Sequence, residues 1–85
     1  MNNTNEKKLE LVQRILRQAI EISSNSIIDI FVDFASHVEA ICIRIYLEGW
    51  EFEKNADLRE QIYLDSEDCI EKLNYIDKYL EKRKV

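Results

Sequence analysis

The chain has no proline and a single glycine, Gly49, in 85 residues, so its turns must be read from Asn, Asp and Ser. Two cysteines, Cys42 and Cys69, cannot staple a small secreted scaffold. Neither sits in a CxxC or Cys/His cluster, and both read as reduced, structural thiols. No apolar run approaches the ~20 residues that cross a bilayer, and the polar start from Met1 to Lys8 lacks the apolar stretch of a secretory signal. The chain therefore reads as cytoplasmic, with no membrane partner. The one histidine, His37, falls in a predicted turn, and pattern alone places no serine or cysteine beside it, which leaves nucleophilic catalysis without a constellation. EF-hand spacing, a zinc ligand set and a glycine-rich phosphate loop are all missing. No metal or cofactor is expected, and the chain is expected not to be an enzyme.

Basic charge is also scarce. Twelve Lys and Arg face seventeen Asp and Glu, a net charge of -5. That is the wrong sign for neutralising phosphates along a duplex, so no direct nucleic-acid binding is expected. What the chain does have is a composition 46% hydrophobic and 34% charged, enough for one two-layer core and too little for two. Residues 1–85 are read as one domain, with a flexible N-terminus at 1–5 and an acidic loop at 48–57.

Residues Glu6 to Ile22 carry Leu9, Val12, Leu16, Ala19 and Ile20 at helical spacing, with Leu11, Ile15 and Ile22 widening the stripe to about half the circumference. Glu10, Gln13, Arg14, Arg17 and Glu21 fill the rest. Thr4 or Asn5 is the expected cap, and Ser23 to Ser26 the expected end. Ile28, Ile30, Val32 and Phe34 then alternate with Asp29, Phe31 and Asp33, a period of two that predicts a strand. Val38 to Leu47 repeats the device, with Ile41, Ile43, Ile45 and Leu47 on one face. Ser36-His37-Val38-Glu39 also fits a capping box for a rival helix closed by Gly49. Isoleucines at alternate positions favour the strand. Glu60 to Asp65 gives a short third strand with Ile62 and Leu64 facing in. A last helix follows, capped by Asp65 or Ser66, with Cys69, Ile70, Leu73, Ile76 and Leu80 as its buried stripe and Lys82, Arg83 and Lys84 at its negative end. The fold class is α+β in the order α-β-β-β-α: two helices on one face of a three-stranded antiparallel sheet. That face is expected to be Ile28, Ile30, Val32, Phe34, Ile41, Ile43, Ile45, Ile62 and Leu64.

Charge is segregated along the chain. Residues 48–68 hold eight acidic and two basic side chains, while residues 69–85 hold three and five. Glu48, Glu51, Glu53, Asp57, Glu60, Asp65, Glu67 and Asp68 surround Trp50 and Phe52. This is either a solvated loop with Trp50 folded on the core edge, or an acidic docking surface with an aromatic anchor for a basic protein partner. A second candidate interface is the outer sheet face, where Phe31, Asp33, Cys42, Arg44, Tyr46 and Tyr63 mix apolar and charged groups. The alternative function is a structural homo-oligomer, a homodimer through that face. Tyr75 and Tyr79, Arg14 and Arg17, and Asp77 and Glu81 read as core margin and solvated helix faces.

The order α-β-β-β-α resembles the double-stranded-RNA-binding domain as topology. That family's last helix begins with lysines that grip phosphates, whereas the matching positions here are Asp65-Ser66-Glu67-Asp68, which would repel them. In size, acidity and layout, with the acidic run Glu48 to Asp68 around Gly49-Trp50, the chain is also similar to the small anti-defence proteins of phages and mobile elements, including type II anti-CRISPR inhibitors. That resemblance implies an inhibitor whose acidic surface imitates nucleic acid and docks on a basic, nucleic-acid-binding protein.

Overall fold

A computed structural model describes residues 3–83. The elements are α1 (Asn3–Asn25), β1 (Asp29–Ala35), β2 (Ala40–Tyr46), β3 (Leu58–Tyr63) and α2 (Cys69–Glu81), with the strands side by side in the order β1-β2-β3. Both strand pairs are antiparallel. The α+β class and α-β-β-β-α order follow directly, and the segment that could have been a helix is the central strand.

Register fixes two faces. On the helix side the cross-strand rows are Phe34-Ile41-Ile62, Val32-Ile43-Glu60 and Ile30-Ile45-Leu58; on the outer side they are Phe31-Arg44-Arg59, Asp33-Cys42-Gln61 and Ala35-Ala40-Tyr63. Ile41, Ile43, Ile45 and Ile62 join Leu11, Ile15 and Ile22 of α1 and Cys69, Leu73, Ile76 and Leu80 of α2 in one buried cluster. One continuous core therefore places both helices on the same face. α1 packs on β1, α2 packs on β3, and the helices pack on each other.

Four local expectations change. α1 already includes Thr4 and Asn5, so neither is its cap and the helix absorbs part of the segment read as flexible; residues 1 and 2, like Lys84, lie outside the described residues. β3 runs from Leu58 to Tyr63, two residues earlier than predicted: Leu58 already pairs with Ile45, and the Leu64 N–H to the Glu39 carbonyl at 2.8 Å is the last in-register bond to the β2 side before the chain turns. The N-cap position of α2 falls to Asp68, which makes no side-chain capping bond. Its carboxylate instead accepts from the Ser66 hydroxyl and pairs with Lys72 at 3.6 Å. Those contacts, the Ser66 bond first, hold the Asp68 carboxyl below its usual range, so this link is present at neutral pH and fades as pH falls into the acid range. Finally, Phe34 sits on the helix-facing side yet is 59% exposed, since β1 is an edge strand and α1 covers it incompletely.

α1 is buried along the residues that only widened its stripe, together with Ala19 of the stripe itself. Leu11, Ile15, Ala19 and Ile22 are in the core, while Leu9, Leu16 and Ile20 are about half exposed or more. An apolar stripe covering half a helix is wider than one packing interface, and hydrophobicity alone does not choose which part is used. Contact with α2 chooses it. Asp77, read as part of a solvated face, is buried: its Oδ1 accepts from the Gln18 amide, and its Oδ2 pairs with Arg14 at 3.0 Å. The end of α1 is closed by its own side chains, with Asn25 Nδ2 donating to the Glu21 carbonyl (2.8 Å) and Ser26 Oγ to the Ile22 carbonyl (2.7 Å).

The cysteines are free and on different sides of the sheet, Cys42 half-buried on the outer face and Cys69 in the core. Burial pushes the Cys69 thiol up, which keeps it neutral and unreactive. Alkylation of the native protein near neutral pH is expected to modify Cys42 and spare Cys69 until denaturant is added. Mass spectrometry showing equal labelling of both in the native state would contradict this placement.

Candidate functional site

The connection from Leu47 to Asp57 is long for a β-hairpin, yet it is tied down at both ends. Asp57 Oδ2 accepts from the Leu47 N–H at 2.7 Å, while the Asp57 N–H donates to the Ile45 carbonyl at 2.9 Å. Asp29, at the start of β1, accepts from the Trp50 N–H at 2.7 Å. Gly49 makes the turn between these anchors with φ +91°, where a Cβ would lie 3.3 Å from the Ile27 carbonyl. The loop's own tight turn, Lys54 N–H to the Glu51 carbonyl at 3.1 Å, places Glu53 at φ 66°.

This tethering sorts the loop's side chains. Asp57, expected among the docking carboxylates, is occupied by the backbone. Glu48, Glu51 and Glu53 are exposed, and none of them takes part in an ion pair among the described residues. Between them Trp50 is 50% exposed and Phe52 82% exposed. Trp50 is thus only partly folded onto the body of the protein, and Phe52 scarcely at all.

The structure does not bring the whole acidic run together. β3 separates the loop from Asp65, Glu67 and Asp68, and six strand residues span about 20 Å. The two groups therefore sit at opposite ends of the sheet. Glu60 belongs to neither end: it points to the helix side between Leu58 and Ile62. There it lines an open recess of about 300 Å³ with Asp68, Glu71, Lys72 and Tyr75. Glu71 was not singled out in the sequence. Only its helical spacing from Asp68 hints that the two share a rim.

The outer sheet face offers less than expected. Tyr46 is buried, 4% exposed, with Phe31 against it edge to face at 5.7 Å. Arg44 stacks over Phe31 at 4.8 Å and pairs with Asp33 at 3.3 Å. Lys54, Asn55 and Ala56 of the loop reach over this side and, with Asp33, Cys42, Arg44, Tyr46 and Arg59, enclose a recess of about 280 Å³. Of the aromatic groups assigned to an outer-face interface, Tyr63 alone is exposed. The sequence could not foresee this, because a long-range fold-back of the loop covers what alternation exposes.

Among the described residues no group of three or more His, Cys, Asp or Glu could hold a metal ion, and no helix is long and apolar enough to cross a membrane. The chain matches no family model, no curated protein and no solved structure.

Proposed function

We propose that this chain is a non-enzymatic protein-binding module that docks its 48–53 loop on a basic, nucleic-acid-binding protein. The observation that carries this reading is Phe52, 82% exposed, beside Trp50 and between unpaired carboxylates on a loop anchored through Asp29 and Asp57. An exposed aromatic on a tethered loop is a preorganised anchor, because little conformational freedom remains to be lost on binding. Carboxylates interleaved with flat rings offer a basic groove the two features by which it holds a single nucleic-acid strand, negative charge and stacking surface. The resemblance to small anti-defence proteins adds the partner class and makes the module a phage-type inhibitor.

Reversal of Glu48, Glu51 and Glu53 to Lys is expected to abolish capture of a basic protein from host lysate, and Phe52→Ala to weaken it at least ~10-fold, the loss of one interface anchor. Reversal of Asp65 and Glu67, at the far end of the sheet, should leave capture intact. The chain alone should not retard duplex DNA or RNA at physiological salt. Capture unchanged by the loop reversal would refute the assignment.

A further inference from the structure

We propose that α1 and the free edge of β1 form a self-complementary surface through which two copies of this chain associate. Leu9, Leu16 and Ile20 are 55%, 48% and 60% exposed. They lie about 160–180° around α1 from Gln18, the residue that faces α2. α1 packs on β1, so the side turned away from α2 overlooks the β1 edge, where Phe34 is exposed and Ile30 and Val32 are only half-buried. Among the described residues no strand pairs with that edge. An apolar helix face beside an unpaired strand is a combination that monomeric proteins blunt with charge or proline; here proline is absent, and the strand's two charges, Asp29 and Asp33, both lie on the outer face, leaving the helix-side row Ile30, Val32 and Phe34 apolar.

The charges select a second copy as the occupant. Antiparallel pairing of β1 with itself about Val32 sets Ile30 opposite Phe34 of the second copy on the helix side. On the outer side it sets Phe31, with Arg44 stacked on it, opposite Asp33 of the second copy. Centring one residue earlier would oppose Asp29 to Asp33, and one residue later Asp33 to itself, both like-charge contacts. The same two-fold axis runs the two α1 helices antiparallel. An alignment that puts Leu9 against Ile20 and Val12 against Leu16 of the second copy also puts Glu10 beside its Arg17. The four exposed side chains offer roughly 400 Å² per copy, half of the ~800 Å² per partner of a standard interface. The half-buried neighbours and the strand's seven-residue backbone edge supply the rest. The docking loop reaches β1 only at Asp29, through the Trp50 N–H, at the end of the strand away from Phe34.

Sedimentation equilibrium of the whole chain across the micromolar range is expected to show a monomer–dimer equilibrium. Leu16→Glu/Ile20→Glu should weaken it at least ~100-fold, two anchors at about tenfold each, with unchanged circular dichroism, since both residues are exposed in the monomer. Glu10→Arg alone should weaken it, and adding Arg17→Glu should restore it. A chain monomeric throughout, a dimer indifferent to the α1 substitutions, or a charge swap without rescue would each overturn the proposal.

Discussion

Ile43→Ala is expected to lower the stability of the fold by ~3–4 kcal/mol, within the range for removing a fully buried aliphatic side chain and leaving a cavity. Ile43 has no exposed surface and lies in the middle of the central strand, with Val32 and Glu60 as its cross-strand neighbours. Edge-strand side chains on both sides and two helices above leave the cavity little room to collapse. An 85-residue domain has roughly 4–13 kcal/mol in total at ~0.05–0.15 per residue, so this one change removes a large share of it. Phe34 belongs to the same sheet face and, by alternation, should be its equal. Its exposure makes Phe34→Ala worth less than ~1 kcal/mol, as for most surface changes, when measured in a chain kept monomeric by Leu16→Glu/Ile20→Glu. Urea denaturation of the two variants tests the ranking, and equal losses would contradict the described burial of β1.

The second large effect is expected at the interhelical polar contact. Asp77→Ala removes the acceptor of the buried Gln18 amide, whose Oε1 has no hydrogen-bond partner among the described residues. The variant thus strands a whole amide group in the core, at a cost of about 2–4 kcal/mol. Gln18→Ala leaves the buried carboxylate with only Arg14, itself half exposed, and should cost ~1–3 kcal/mol. Replacing both residues by leucine removes both sides of this buried polar contact at once and is expected to return stability to within ~1 kcal/mol of the parent. The single leucine variants, each of which leaves the other polar side chain without its partner, complete a cycle with the double variant that is expected to be strongly non-additive. Additive losses would mean that the Gln18–Asp77 contact does not carry the energetic coupling assigned to it.

Period-two alternation in Asp29–Ala35 and Ala40–Tyr46, and helical spacing around Leu73 and Ile76, made the elements and their order legible from sequence. Their partners were less so. α1 has apolar residues over half its circumference, and only the position of α2 decides that Leu11, Ile15 and Ile22 go inward while Leu9, Leu16 and Ile20 stay out. Asp77 looked like an ordinary solvated charge because a helix pattern carries no information about a polar residue on the neighbouring helix. The acidic run looked like one surface because Glu48 to Asp68 are close in sequence, but an extended strand within the run carries its two halves to opposite ends of the sheet. At the site, the exposure of Phe52 and the carboxylates around it could be anticipated. The tethering roles of Asp29 and Asp57 could not, since each depends on a backbone N–H brought close by the fold.

The docking role of the 48–53 loop is tested most directly by amide hydrogen exchange on this chain, free and bound to the basic protein it captures. Protection on binding is expected to concentrate at residues 48–54, with little change at 65–71 or along the exposed side of α1. Protection centred on α1 and β1, or on the outer strand face, with the loop exchanging as in the free protein, would contradict the account.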